Sequence, residues 1–342
     1  MIFEAKALHS SVVAMLFSLS ALAASGPVNG GTGYVIDHGD SAVIDKHGVK
    51  KKVKNNHASG RAIFVPLKSS TEWSTFIAKP PAGVTIEDAL TCPTGYILVP
   101  GNPTFGTSDF CVAKYEMKNV GGVATSQASG KPWVNINRND ARAKCQSLGT
   151  GYKLISNAQW QTIARNIEQV AANWQNGSVG SGALNRGHST VSPSDSLAAS
   201  SNDNDACSGT GQSCTGSTWN SLKRTHKLSN GEVIWDFSGN VSEWVNDDYS
   251  SLGVNPAFDS GKWIEFTSSS VGTNNRKLFG PSNSSWSSTQ AVGKVYGGSA
   301  GGIYRGGAWN SITANIGIFT TYLNNKTAFL NAYIGFRCVY DP

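Results

Sequence analysis

This sequence predicts an irregular, loop-heavy globular fold with few helices, and three observations support that. Thirty-eight glycines and ten tryptophans stand beside only 15% charged residues, so the backbone bends often and is pinned by aromatic side chains instead of long helices. The 342 residues are 39% hydrophobic, enough to bury a full core as one large domain or as a domain with a smaller module. The C-terminal end, from Val295 to Pro342, sets the frame. There Arg305-Gly306-Gly307 turns where a side chain cannot follow, and Ile334 to Val339 reads as a buried closing strand. Between Ala308 and Tyr333 neither the strand period nor the helix period is kept, which marks a surface of loops held by a scaffold.

The N-terminus carries an address. Lys6 precedes an apolar run from Val12 to Ala24 that is too short to span a bilayer, and Ala21-Leu22-Ala23 has the small-x-small pattern of a cleavage site. Residues 1–23 are read as a signal peptide. A buried first helix is the alternative, opposed by Ser25-Gly26-Pro27, which breaks any helix. Six cysteines, an even number, suit an oxidising compartment. A secreted, periplasmic or cell-surface protein is therefore expected, with no transmembrane segment in the mature chain. No cysteine follows the cleavage site, which argues against a lipid anchor.

Residues 24–88 alternate turn residues with short β-branched runs such as Tyr34-Val35-Ile36 and Ala62-Ile63-Phe64-Val65, and they predict a small β-rich module or arm. Its basic run, Lys50, Lys51, Lys52 and Lys54, reads as a solvated turn, with an anionic-surface patch as the alternative; no nucleic-acid motif accompanies it. Pro80-Pro81 marks a linker, and residues 89–342 form the main domain. At its start two strands around Tyr96 and Cys111 are separated by a turn, so a Cys92–Cys111 bridge would staple a hairpin.

Two helices follow. Asn139 or Asn137 caps the first, which carries Ala141, Cys145 and Leu148 and ends at Gly149 and Gly151. Ser156-x-x-Gln159 is a capping box opening the second, whose Trp160, Ile163, Ala164, Ile167 and Val170 recur as a core stripe. Residues 173–221 are an Asn/Ser/Gly-rich excursion in which Cys207 and Cys214 can close a small ring. Asn202, Asp203 and Asp205 there offer oxygens to a cation or are plain solvated loop acids. In the next run, Trp235, Phe237, Val241 and Trp244 point to a core, with Glu243 among them. A buried carboxylate needs a partner, and either a hard cation or an arginine would satisfy it.

The ordered motifs GNVSEW (Gly239 to Trp244), RGGAW (Arg305 to Trp309) and GFRC (Gly335 to Cys338) resemble the formylglycine-generating-enzyme, or sulfatase-modifying-factor, version of the C-type lectin fold. The resemblance implies an α+β domain with two helices flanking twisted antiparallel sheets. It implies that Cys145 pairs with Cys338, leaving Cys92–Cys111 and Cys207–Cys214. It also implies a calcium site formed by Glu243 with the carbonyls of Ser238, Gly239 and Val241, although Ser242 stands where the family has an aromatic. The enzymes use a copper-binding cysteine pair; here those positions are Ser311 and Ile316, which supply no thiolate. No other cofactor is required.

The C-terminal stretch is more similar to the variable proteins of diversity-generating retroelements, in which reverse transcription randomises AAC codons and the altered residues bind a ligand. Such variation yields neither Lys nor Trp, so Trp309 and Lys326 are read as fixed. Within the variable region 305–338, the positions expected to meet a ligand are Ala308, Asn310, Ser311, Ile312, Ala314, Thr320, Tyr322, Phe329, Asn331 and Tyr333. The alternative is that Ile312, Phe329 and Tyr333 are core. Aromatic anchors beside adaptable amides suit a protein or cell-surface ligand. An oxidoreductase or modifying enzyme on the same fold is the alternative, and no base, nucleophile or metal cluster stands at recognisable spacing for it.

Overall fold

The computed structural model describes residues 25–28, 32–47, 49–88, 90–189, 193–254 and 261–342; the expected signal peptide lies outside them. The chain divides into two compact units, one ending at residue 89 and one spanning 90–342. In the first, β1 (Gly26–Val28), β2 (Gly33–Ile36), β3 (Ser41–Lys46), β4 (Val49–Asn55), β5 (Ile63–Pro66), α1 (Ser70–Ala78) and β6 (Val84–Asp88) follow in order. They form two antiparallel sheets, β1-β2-β5 and β3-β4-β6. Ile36, Val53, Val65 and Trp73 fill the core between them. α1 was not expected, although its signal is present: Ser69 and Glu72 form a capping box, and Trp73 and Phe76 are buried one turn apart.

The second unit opens with β7 (Tyr96–Val99), β8 (Phe110–Ala113), β9 (Lys118–Val120) and β10 (Val123–Thr125). Then come α2 (Arg138–Gln146), β11 (Tyr152–Leu154) and α3 (Asn157–Glu168). After the excursion, β12 (Thr225–Lys227), β13 (Val233–Trp235) and β14 (Ser242–Asp248) precede β15 (Trp263–Ile264) and α4 (Gly272–Phe279). The chain closes with β16 (Val295–Tyr296), β17 (Gly302–Arg305), β18 (Thr321–Asn325), β19 (Ile334–Phe336) and β20 (Cys338–Tyr340).

Asn137, not Asn139, caps α2, its side chain accepting from the Asp140 N–H at 2.9 Å. Ser156 and Gln159 make the reciprocal box of α3, and Trp160, Ile163, Ala164 and Ile167 are fully buried. α4 is a further helix beyond the two expected. It begins at a glycine and lacks a side-chain cap, so the sequence carries no start signal for it.

The main sheet has the order β15-β16-β18-β17-β14-β19, and a four-stranded sheet runs β11-β20-β8-β7. Two pairings of the main sheet, β14 with β19 and β16 with β18, are parallel, where an antiparallel arrangement was expected. Among the described residues no helix is long and apolar enough to cross a membrane.

All six cysteines are bonded, as Cys92–Cys111, Cys145–Cys338 and Cys207–Cys214, which is compatible with an extracellular or periplasmic protein. Cys145–Cys338 joins α2 to the last strand across 193 residues of sequence and is wholly buried. Replacing both cysteines with alanine is expected to cost about 2–5 kcal/mol. Urea denaturation of the non-reduced protein checks it, and an unchanged midpoint would show that the bridge adds nothing.

The excursion is tied down by buried side chains. Arg224 pairs with Asp236 through Nε and Nη2, both at 2.7 Å, and donates to the carbonyls of Leu197, Ala198 and Ser208. Asp203, one of the loop acids, accepts from Lys114 and from the Trp235 indole, each at 2.8 Å.

Candidate ligand-binding face

The C-terminal run starts from a buried arginine. Arg305 donates to the Thr320 carbonyl, Asn157 Oδ1, Gln161 Oε1 and the Phe279 carbonyl, and it lies over the Trp160 and Phe279 rings. Burial pushes its pKa down to about 9. Gly306 and Gly307 follow with φ of 88° and 81°, a conformation that favours glycine. A Cβ on Gly307 would also sit 2.6 Å from Ile316 Cδ1. The chain leaves this turn into a loop, returns as β18, and crosses a second loop before β19.

Both loops hang from backbone contacts to fixed parts of the unit. Trp309 N–H donates to the Asn240 carbonyl at 2.9 Å, and Gly306 N–H to that of Thr320 at 3.1 Å. In the second loop the carbonyls of Thr327, Asn331 and Tyr333 accept from the N–H groups of Arg138, Asn135 and Ser242 at 3.1, 3.0 and 2.9 Å. The loops are therefore anchored by partners outside them and by turns of their own, while side chains pointing away from those contacts are free to differ.

An aromatic row underlies the face. Six strands in a row each place one ring at matching register: Phe336, Trp244, Tyr304, Tyr322, Tyr296 and Trp263. Tyr304 stacks on Tyr322 with centroids 4.4 Å apart, and Trp263 meets Tyr322 edge-on at 4.9 Å. Such cross-strand pairs stabilise a sheet. Burial pushes the Tyr322 phenol up to about 12. The Tyr322 hydroxyl meets Ser311 Oγ at 3.2 Å, where either atom can donate.

Each expected ligand position now has a place. Asn310, Ile312 and Ala314 are exposed, with Ile312 at 68%. Ser311, Tyr322, Phe329, Asn331 and Tyr333 are half-buried, the three aromatics packing on the core beneath. Ala308 and Thr320 are corrections, since both are fully buried. Thr320 turns its hydroxyl inward to the Asn315 carbonyl at 2.7 Å, and Ala308 is held in a tight turn with Ser311. From 327 to 333 half-buried and exposed positions alternate, so Phe329, Asn331 and Tyr333 face inward. The outward members, Ala328, Leu330 and Ala332, were not among the expected positions, and neither was exposed Thr313. Leu330 is 52% exposed. Ala328 and Ala332 beside Phe329 and Tyr333 carry part of that alternation in the sequence, and Leu330 breaks it.

Beneath this face the GNVSEW turn belongs to a buried network of six ionisable side chains. Glu116, Asp236 and Glu243 face Lys118, Arg224 and Arg337, three acids against three bases. Glu243, for which either a calcium or an arginine was expected, accepts from Arg337 Nη2 at 2.7 Å. Burial pushes Glu243 upward while Arg337 pulls it back, and burial lowers Lys118. Ser311 and Ile316, at the positions of the family's cysteine pair, are a half-buried hydroxyl and a fully buried alkyl side chain.

A family model described as the sulfatase-modifying factor enzyme 1-like domain matches residues 43–342. No curated protein sequence matches this one. Among solved structures, the chain is similar to Treponema denticola variable protein 1 at 12% identity, over 74% of this chain and 94% of that one, with a TM-score of 0.35. It is similar to the Major Tropism Determinant I1 variant at 16% identity, over 90% and 73%, with a TM-score of 0.38. PvdO from Pseudomonas aeruginosa is similar at 15% identity over 73% and 92%, with a TM-score of 0.31.

Proposed function

The chain belongs to the sulfatase-modifying factor enzyme 1-like family, with its loop-rich α+β, C-type lectin-like fold, and from that premise we propose that it is a ligand-binding protein. On this reading it is secreted or displayed at a surface, and it recognises a protein or cell-surface ligand through its C-terminal loops, in the manner of the variable proteins of diversity-generating retroelements. One observation carries the reading: the outward side chains of residues 310–314 and 328–332 stand in two loops anchored to the rest of the fold, the first at Trp309 and Phe319, the second at Thr327, Asn331 and Tyr333. Recognition can then change without refolding. The face is almost uncharged, since Lys326 is the only charged residue from Gly306 to Phe336. Amides, hydroxyls and apolar groups therefore supply its contacts, as in many paratopes. The family's cysteine oxidation has no counterpart in these residues, because every cysteine sulfur is in a disulfide.

The test compares immobilised full-length protein with a copy carrying Asn310→Asp, Ala314→Asp and Ala328→Asp, three exposed positions. Both are incubated with cell-surface protein extracts, and the retained proteins are identified by mass spectrometry. A partner retained by the wild type and lost from the variant is expected, because like or unpaired charges in a contact oppose association. Identical retention by both would rule this face out.

A further inference from the structure

The family resemblance implies a calcium held by Glu243 and the carbonyls of Ser238, Gly239 and Val241, and the residues present do not fit one. Both oxygens of Glu243 already accept from Arg337: Oε1 from Nη2 at 2.7 Å and Nε at 3.2 Å, and Oε2 from Nε at 3.1 Å. Nη1 donates to the Ala113 carbonyl at 2.7 Å, and Nη2 also donates to that of Trp235 at 2.9 Å. Neither Glu243 nor Arg337 has any exposed surface.

The Ser238 carbonyl is covered as well. Gly187 abuts the Ser238 carbonyl so tightly that a Cβ there would lie 2.1 Å from the oxygen. Residues 186–188 run along the turn, the His188 carbonyl accepting from Asn240 N–H at 2.8 Å and the Arg186 carbonyl from Ser238 Oγ at 3.1 Å. On the amide side Glu116 accepts from Asn240 Nδ2 at 2.5 Å and from Val241 N–H at 3.0 Å. A calcium needs about six to eight oxygens around it, and here the central carboxylate is engaged by Arg337 and the Ser238 carbonyl is covered by Gly187.

We propose that Arg337 is the resident cation of this site and that the turn from Gly239 to Val241 keeps its form without calcium. The guanidinium neutralises Glu243 and, through its planar fork, also binds the ends of β8 and β13. A point charge would reach the carboxylate but would not supply that directional set of donors.

The experiment uses the purified full-length protein, dialysed to trace calcium and then scanned thermally with excess EGTA or with calcium chloride. We expect no stoichiometric calcium by elemental analysis and the same melting temperature in both. A site of the family kind, loaded at about 100-fold over its Kd, would raise that temperature by roughly 5–10 °C. Should EGTA lower it, the same pair of scans on Glu243→Gln decides. A response lost with the carboxylate overturns the proposal, whereas a response that persists places the ion elsewhere and supports it. If Glu243→Gln does not fold, Glu243→Asp serves, with a changed calcium affinity overturning the proposal and an unchanged one supporting it.

Discussion

Arg224→Ala is expected to lower the free energy of unfolding by about 3–5 kcal/mol, because removing one member of a buried ion pair leaves the other charge unpaired. Asp236 is 2% exposed and its two oxygens meet Arg224 at 2.7 Å. The loss reaches further than the pair. The same guanidinium holds the carbonyls of Leu197, Ala198 and Ser208, so the excursion would lose three of its tethers and become more open to proteases between residues 193 and 221. Urea denaturation and limited proteolysis measure the two consequences separately. Arg224→Met combined with Asp236→Asn should cost less than Arg224→Ala alone, since no bare charge remains. Asn is chosen because Asp236 has φ of 54°, a region asparagine tolerates. A double variant worse than the single would show that the charge pair is not the source of the effect.

What the sequence discloses about this fold depends on the distance over which its signals act. The box at Ser156 and Gln159 and the stripe from Trp160 to Ile167 are local, and they appear as α3 with those side chains buried. The closing strand was legible only in part: Ile334 to Val339 are all buried, but they form two short strands, β19 in the main sheet and β20 in the four-stranded sheet, with Arg337 between them. The aromatic row was not legible. Its members, at positions 244, 263, 296, 304, 322 and 336, share no spacing, and only the pairing of six strands brings them together. Nothing in a one-dimensional pattern assigns that register.

The positions expected to meet a ligand show the same division. Ile312 is exposed, where apolar character in a loop bounded by polar residues fits either exposure or core and the family pattern favoured exposure. Thr320 failed for a physical reason: a small hydroxyl can be buried at little cost once it reaches a carbonyl, here that of Asn315. Arg337 presents a third case, in which charge alone named two partners for Glu243 and geometry supplied the arginine.

Ile312→Asp together with Leu330→Asp should abolish capture of any partner that the wild type retains while leaving the fold almost untouched. Both side chains are more than half exposed, and surface substitutions of that kind usually fall within about 0.5 kcal/mol. Tyr322→Ala should behave in the opposite way. One face of its ring is covered by Tyr304 and its edge by Trp263, and its hydroxyl meets Ser311, so truncation removes packing in the middle of the main sheet. A cost of about 2–4 kcal/mol follows from the range for aromatic truncation, lowered because the ring is only half-buried. On the proposed reading Tyr322 belongs to the platform beneath the face, and Ile312 and Leu330 to its outer surface. Thermal scans paired with the capture assay separate the two roles. A Tyr322→Ala protein of wild-type stability would return that residue to the binding set, and an Ile312→Asp, Leu330→Asp protein that still captures the partner would move the contact surface away from both loops.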